Sequence, residues 1–288
     1  MKRTAAHSRT RMLIALVLTA IALMALIGCG AQTQTSGSRQ GFSASSLDDV
    51  ASQQTQAPAS TAAPSQEPAT VAAGLPAQAN GSPTVCIDAG HQAEADLSAD
   101  PIGPGSSTTK YATAGGATSV YDGTPEYQIN LEVALKLQQA LEERGVTVVM
   151  TRTANDVTIP NSRRAQIANE AGAALAIHLH CDGVDNSTST GFSTLVPGQN
   201  QWTEPICEES LRAGRAIQDA VCAQVGCADR GLVERTDLTG LNWSTVPALY
   251  VEMGFLSTPS EAQLLGTDEY QWQLAEAMAD GIVIYLNS

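Results

Sequence analysis

The sequence predicts an α/β fold, a three-layer sandwich in which helices flank a largely parallel mixed sheet. Short apolar runs alternate along the chain with longer segments of helical periodicity, a pattern typical of strands joined by crossover helices. Glycine residues bound the apolar runs, and two of these runs end in histidine. The pattern occupies residues 84–288, about 205 residues, which is enough chain for one domain with one sizeable core.

Helix and strand signals justify each element in turn. Residues 85–91 form a first apolar run that ends at His91. A helix follows, with Thr124 as its N-cap, Pro125 at its first position and Gly145 at its end. The remaining predictions are a strand at 146–150, a helix capped by Asn161 or Ser162 that runs to about residue 170, strands at 173–177, 191–196 and 248–252, and helices at about 204–223 and 269–286.

The stretch between His91 and the first helix, residues 92–123, is rich in glycine, serine and threonine. It is too long for an ordinary connection, so we expect a functional loop or lid there. The sequence leaves open whether this stretch covers a site and has to be displaced by an activator protein.

Residues 1–28 have the features of a secretory signal. A basic start precedes an apolar run at 12–27, which ends in Gly28-Cys29. The cysteine after Leu-Ile-Gly resembles the lipobox of bacterial lipoproteins, which predicts lipidation of Cys29. The alternative is a transmembrane anchor, but the run has about 16 residues where about 20 are needed to span a bilayer. We therefore expect an extracytoplasmic domain that a lipid anchors to the cell membrane.

Residues 29–83 are dominated by alanine, serine, threonine, glutamine and proline, with few large apolar side chains. Such a segment cannot bury enough apolar surface to fold, so it is predicted to be a disordered stalk. With the basic leader set aside, 11 basic residues stand against 29 acidic ones. This charge argues against a nucleic-acid partner, since phosphate contacts require lysine and arginine.

Five cysteines remain after Cys29, an odd number that leaves at least one without a partner inside the chain. The sequence does not determine the disulfide pairing of these five. They are Cys86, Cys181, Cys207, Cys222 and Cys227.

All three histidines outside the leader follow strand-like runs: His91 ends one run, and His178 and His180 follow another. Because ligands gather beyond the carboxyl ends of strands in an open α/β sheet, these imidazoles are expected at one edge. A catalytic zinc ion requires three protein ligands, so two strand-end histidines need a third donor. Glu126, in the first turn of the first long helix, is the preferred candidate, and Glu94 and His180 are alternatives.

Glu252 ends an apolar strand, where a charged side chain is costly unless it is paired or lies in a polar cleft. One interpretation is an ion pair with Arg152 or Arg164. The other is a general base and acid beside a metal ion.

Four motifs together resemble the zinc-dependent N-acetylmuramoyl-L-alanine amidases of the amidase type 3 family. The sequence from Ile87 to His91, I-D-A-G-H, is similar to the family motif I-D-P-G-H-G-G. The segments around Arg152 and Arg164 resemble T-R-x-x-D and R-x-x-x-A-N. Residues 176–182 resemble S-I-H-A-N-A, with His178 at the histidine and His180 at the asparagine, and residues 251–257 are similar to V-E-x-G-F-L-S.

The resemblance implies that Zn²⁺ is bound by His91, Glu126 and His178, and that Glu252 is catalytic. The implied reaction is hydrolysis of the amide bond between N-acetylmuramic acid and L-alanine in peptidoglycan. The implied partners are the peptidoglycan stem peptide and glycan, so the domain would face the cell wall. Four further residues are candidates for contact with substrate or for support of the metal ligands, because of the resemblance and of their positions. They are Asp88, Arg152, Arg164 and His180.

Two alternatives to this function remain open. A non-catalytic or activator-gated peptidoglycan-binding lipoprotein would have the same fold, although such copies commonly lose a ligand. Another zinc hydrolase, such as a carboxypeptidase acting on the stem peptide, would differ in the mass of its products.

Overall fold

The computed structural model describes residues 81–288. The predicted signal peptide, the lipidation site at Cys29 and nearly all of the predicted stalk lie outside the described residues. Within residues 81–288, no helix has the length and apolar character needed to cross a membrane.

Eight strands are described, six of them in one sheet. The order across this sheet is β4-β1-β5-β8-β6-β7, with β6 antiparallel to β8 and every other neighbouring pair parallel. The mixed, largely parallel sheet confirms the predicted fold class. The strands are β1 (Thr84–Ala89), β2 (Asp96–Pro101), β3 (Thr109–Thr113), β4 (Thr147–Met150), β5 (Leu175–Asp182), β6 (Phe192–Pro197), β7 (Asp229–Arg235) and β8 (Ala248–Phe255).

The described residues also form six α-helices and one short 3-10 turn, and the last two helices follow the final strand. These elements are α1 (Glu126–Glu143), α2 (Asn161–Glu170), the 3-10 turn (Glu204–Ile206), α3 (Cys207–Val225), α4 (Thr239–Asn242), α5 (Pro259–Leu265) and α6 (Asp268–Leu286). The predicted caps of the first two helices are wrong. Helix α1 begins after Pro125, and its N-cap makes no side-chain bond. In α2 the backbone N–H of Ser162 donates to Asp100 of β2, which supplies the capping oxygen from another element.

Strand alternation divides the core into two layers. In β5, Leu175, Ile177 and Leu179 belong to the larger cluster, which includes side chains from α1, α3 and α6. Ala176 belongs to a smaller cluster on the opposite face with side chains from α2 and α4. Because successive side chains in a strand point to opposite faces, His178 and His180 lie on the thinly covered face with Ala176.

The stretch 92–123 contains a β-hairpin, formed by β2 and β3. Tryptophan side chains fasten this hairpin to the body of the domain. The indole N–H of Trp243 donates to the carbonyl of Pro101 at 2.7 Å, and that of Trp202 donates to the carbonyl of Pro104 at 2.9 Å. Part of the predicted long loop is therefore an ordered wall beside the sheet.

The five cysteines of the described region are all free thiols. Cys86 and Cys181 are buried in the sheet. Cys222 and Cys227 lie near each other at the end of α3, with their sulfur atoms 3.9 Å apart.

A glycine allows the close contact of the two longest helices behind the sheet. A Cβ atom on Gly281 of α6 would lie 2.6 Å from the Cα of Ile217 and 2.9 Å from the carbonyl oxygen of Ala216, both in α3. These neighbours are backbone atoms, so the helices themselves would have to move apart.

We therefore expect Gly281→Ala to lower the free energy of unfolding by about 1–3 kcal/mol, the usual cost of overpacking. Alanine is the better helix former by about 1 kcal/mol, so the packing cost has to exceed that gain. Urea unfolding of the full chain measures the difference. Ile284→Ala is the matched control, since this side chain is exposed on the same helix, and its effect should stay within about 0.5 kcal/mol. A Gly281→Ala variant as stable as the wild type would contradict the close helix contact.

Candidate active site

Parallel strand pairing brings the polar side chains of the thinly covered face together. The register pairs Asp88 of β1 with His178 of β5, and His180 of β5 with Glu252 of β8. His178 lies one step deeper in the sheet, and His180 lies nearer the carboxyl end. The two histidines therefore have different neighbours, although they share a face.

Three donor atoms from three elements form a compact triangle. His180 Nδ1 lies 3.2 Å from His91 Nε2 and 3.1 Å from Glu126 Oε1. His91 Nε2 and Glu126 Oε1 are 3.3 Å apart. Zinc bonds to nitrogen and oxygen are about 2.0–2.1 Å long, so neighbouring ligand atoms in a tetrahedral site are about 3.3 Å apart. Within residues 81–288, His91, Glu126 and His180 are the group of side chains that could hold a metal ion.

His91 adopts an unusual backbone conformation at this site. Its φ of 60° is the only positive value for a residue other than glycine among the described residues. Such a conformation costs about 1–3 kcal/mol and persists only where the surroundings enforce it. The imidazole Nδ1 donates to the carbonyl of Ala114 at 2.8 Å, so the Nε2 lone pair is free to face Glu126 and His180.

Backbone and side-chain donors fix the Glu126 carboxylate. Oε2 accepts from the N–H of Ala117 at 2.7 Å, and Oε1 accepts from the N–H of Cys181 and the amide of Asn130, both at 3.1 Å. These bonds leave Oε1 oriented toward the two imidazoles. Supporting bonds of this kind orient metal ligands in proteins.

The three donors differ in the direction of their pKa shifts. Burial would lower the pKa of His91, but the Glu126 carboxylate outweighs burial and raises it, so a metal ion competes with a proton at this ring. Burial would raise the pKa of Glu126, but the imidazoles of His91 and His180 outweigh it and hold the pKa well below its usual value. Burial lowers the pKa of His180, and the neighbouring His91 lowers it further. His180 is therefore a neutral imidazole at pH 7 with a lone pair to offer, which a metal ion requires.

His178 does not belong to the triangle, so the structure corrects the expectation that it is the third ligand. Its Nδ1 is 2.8 Å from Asp88 Oδ2, and its ring stacks on Tyr250 with the ring centroids 4.3 Å apart. Its Nε2 is buried without a hydrogen-bond partner. His178 therefore supports the sheet beneath the site, and the alternative His180 takes the position beside His91 and Glu126.

Asp88 and Arg164 form a buried ion pair at 2.8 Å under the site. Asp88 also accepts from the hydroxyl of Thr151 and contacts His178. Burial would raise the pKa of Asp88, but Arg164 and His178 hold it well below its usual value. Asp88 is thus a charged anchor for His178.

Arg152 and Arg164 hold the segment that presents His91. Arg152 donates to the carbonyls of Ala89 at 2.7 Å and Gly90 at 3.0 Å, and Arg164 donates to the carbonyl of His91 at 3.0 Å. Both side chains are buried, and neither forms the ion pair with Glu252 that the sequence left open. The two arginines instead hold the backbone of the segment that ends at His91. Glu94, the other alternative ligand, is exposed and outside the triangle.

Glu252 lies in a cleft that also contains the three donor residues. The cleft has a volume of about 410 Å³ and is lined by His91, Glu126 and His180 together with Glu252. Glu252 Oε2 is buried without a hydrogen-bond partner. Burial and the carboxylates of Asp182 and Glu126 raise the pKa of Glu252 well above its usual value. A carboxyl group with these properties is suited to take up and release a proton.

Residues 85–283 of this chain match the protein family described as N-acetylmuramoyl-L-alanine amidase. The match covers well over half of the chain. The chain belongs to the N-acetylmuramoyl-L-alanine amidase family. This confirms the predicted family and places the chain among the hydrolases.

Relatives and solved structures agree with the family. An N-acetylmuramoyl-L-alanine amidase of Mycobacterium tuberculosis is 28% identical over 214 residues, which cover 70% of this chain and 86% of the relative. The N-acetylmuramoyl-L-alanine amidase structure from Clostridium difficile 630 is 29% identical, has a TM-score of 0.60, and is matched over 73% of this chain and 99% of that one. The Mycobacterium smegmatis amidase has a TM-score of 0.65 at 26% identity, over 72% of this chain and 98% of that one.

A two-residue shift in one alignment explains why the sequence favoured His178. With the amidase motif S-I-H-A-N placed on residues 178–182, His180 occupies the histidine position, Leu179 the aliphatic position and Asp182 the asparagine position. The shifted alignment agrees with the triangle of donor atoms. Gly183 is the feature of the sequence that favours this alignment, because it follows Asp182 directly and marks the end of the strand there.

Close backbone approach holds the His180 ring in place. A Cβ atom on Gly90 would lie 2.3 Å from both Cε1 and Nε2 of His180. A Cβ atom on Gly116 would lie 2.9 Å from Glu126 Oε2 and 3.0 Å from the ring of His91. Glycine at these two positions leaves room for the ligands.

We expect Gly90→Ala to displace the His180 ring and to weaken zinc binding at least about tenfold, as changes beside metal ligands commonly do. Competition with a zinc-binding dye measures the affinity of the full chain. Gly115→Ala is the control, because a Cβ atom there meets no atom within 4 Å. Equal zinc affinity in the two variants would contradict the assignment of His180 to the site.

Proposed function

We propose that this protein is a zinc-dependent amidase that hydrolyses the bond between N-acetylmuramic acid and L-alanine in peptidoglycan. The observation that carries the proposal is the triangle of donor atoms on His91, Glu126 and His180, in one cleft with Glu252, whose Oε2 is buried without a hydrogen-bond partner. Membership of the amidase family supports the choice of bond.

The donor set fits zinc. Two imidazole nitrogens and one carboxylate oxygen are ligands that a catalytic zinc ion takes, and three protein ligands leave a position for water or substrate. When bound, zinc supplies Lewis-acid chemistry, since it polarises a carbonyl oxygen and makes water a nucleophile at neutral pH. Ala114, Ala117 and Asn130 hold the ligand side chains in orientation through their hydrogen bonds.

Glu252 moves the protons of the reaction. Its carboxylate takes a proton from the attacking water and gives that proton to the departing amine of L-alanine. The raised pKa of Glu252 favours the first of these steps, because it makes the carboxylate a stronger base. Oε2 of Glu252 has no hydrogen-bond partner in the described region, so this oxygen can take the proton.

A lipid on Cys29 would anchor the protein to the outer side of the cell membrane. A flexible stalk over residues 29–83 would then let the domain face the cell wall. The leader and composition of the sequence support this part of the proposal. A lipid of this kind would supply the attachment to the membrane that the acidic domain does not.

We expect Glu252→Gln to retain one zinc ion and to lower hydrolysis of purified peptidoglycan by a factor of about 10² to 10⁴, the usual contribution of a general base. Mass analysis of the released stem peptides, which begin with L-alanine, measures the activity. Zinc content is measured on the same samples.

Glu234→Gln is the matched control, since Glu234 is exposed and is not part of the cleft lining. It should hydrolyse peptidoglycan like the wild type. Full activity in Glu252→Gln would remove Glu252 from the reaction, and products cleaved elsewhere in the stem peptide would favour another zinc hydrolase.

A further inference from the structure

Two cysteines meet where helix α3 ends. Cys222 lies in the last turn of α3, and Cys227 follows the last residue of this helix by two positions. Their Sγ atoms are 3.9 Å apart. Neither residue belongs to the lining of the cleft that contains Glu252. The pair therefore has no part in the chemistry proposed above.

The way in which the helix ends brings the two side chains together. Gly226 follows α3 directly, has a φ of 73°, and donates its N–H to the carbonyl of Cys222 at 3.2 Å. A left-handed residue at this position turns the chain back, so that the next residue packs against the last helical turn. Here the next residue is Cys227, and it meets Cys222. The contact between the sulfur atoms is thus set by the backbone.

The other cysteines of the described region are poorly placed to pair. Cys86 belongs to the smaller core cluster and Cys181 to the larger one, so these two lie on opposite faces of the sheet. Cys207 begins α3, and the fifteen residues from Cys207 to Cys222 correspond to about 22 Å along the helix. A disulfide joins Cβ atoms about 4 Å apart. Geometry therefore favours the pair at the end of α3.

The surroundings of the pair join three elements. Both cysteines pack against the larger core cluster. The amide of Gln218, one turn earlier in α3, lies 3.5 Å from Cys222 Sγ and donates to the carbonyl of Phe192 at 2.9 Å and to Asp229 Oδ1 at 2.7 Å. Phe192 begins β6 and Asp229 begins β7. A covalent bond at this place would hold the end of α3 against the starts of two strands.

We propose that Cys222 and Cys227 form a disulfide bond that fixes the end of α3 to the segment leading into β7. The sulfur atoms of a disulfide are about 2.0 Å apart, so rotation of the two side chains has to bring them closer by about 2 Å. Disulfides persist in proteins outside the cytosol, where the proposed lipid anchor would place this domain. The pairing does not depend on the proposed amidase activity.

Formation of the bond requires an oxidant, which is a disulfide of low molecular weight or of another protein. The thiolate of one cysteine attacks that disulfide and releases one thiol, and the second cysteine attacks the mixed disulfide and releases the other. The two cysteines lose two electrons and two protons, which the released thiols carry away. Burial and the neighbouring Cys227 raise the pKa of Cys222 to about 12. The exchange is therefore slow at neutral pH, because the thiolate is the nucleophile.

Peptide mapping tests the pairing directly. The full-length protein is equilibrated with oxidised glutathione at mildly alkaline pH, alkylated under denaturing conditions and digested with trypsin. Residues 216–230 form one tryptic peptide, which contains Cys222 and Cys227 and no other cysteine. After oxidation this peptide should be lighter by two hydrogen atoms and should carry no alkyl group, and after reduction it should carry two. Two alkyl groups after oxidation, or glutathione bound to either cysteine, would overturn the proposed disulfide.

Thermal unfolding tests whether the bond fastens the helix end. The oxidised wild type should have a Tm about 4–8 °C above that of the reduced protein, as expected for a short disulfide loop in a domain of this size. Cys222→Ser should lose this difference. Cys207→Ser is the matched control, because Cys207 lies on the same helix and is likewise half-buried, and it should keep both the linked peptide and the difference in Tm. Equal Tm values for the oxidised and reduced wild type, or an undiminished difference in Cys222→Ser, would overturn the stabilising role.

Discussion

The parallel pairing of β1, β5 and β8 is the constraint on which the site depends. This register sets Asp88 opposite His178 and His180 opposite Glu252. Alternation along β5 sends both histidines to the face opposite the larger core. A shift of one residue would turn both imidazoles into that core and remove the donor triangle.

Much of the site could be predicted from the sequence. His91 and Glu252 end apolar runs, and Glu126 begins a long helix, so simple patterns mark all three residues. The choice between His178 and His180 is different, because a spacing of two places both on one face. Only the register with β1 distinguishes them. It sets Asp88 Oδ2 2.8 Å from His178 Nδ1 and leaves His180 in the lining of the cleft.

Strands β2 and β7 could not be predicted from the local sequence. Strand β7 reads D-R-G-L-V-E-R and β2 reads D-L-S-A-D-P, so neither has the apolar run by which the other strands were found. Their positions depend on pairing with β6 and β3, which is not visible in local composition. Lys110 of β3 and Arg235 of β7 therefore enter the cleft lining without a sequence signal.

The most direct test of the central claim is a crystal structure of the zinc-loaded protein with the metal located by its anomalous signal. We predict one zinc ion about 2.0–2.2 Å from His91 Nε2, Glu126 Oε1 and His180 Nδ1, with His178 still bonded to Asp88. A zinc ion bound to His178 Nε2 in place of His180 would contradict the assignment of His180 as a ligand.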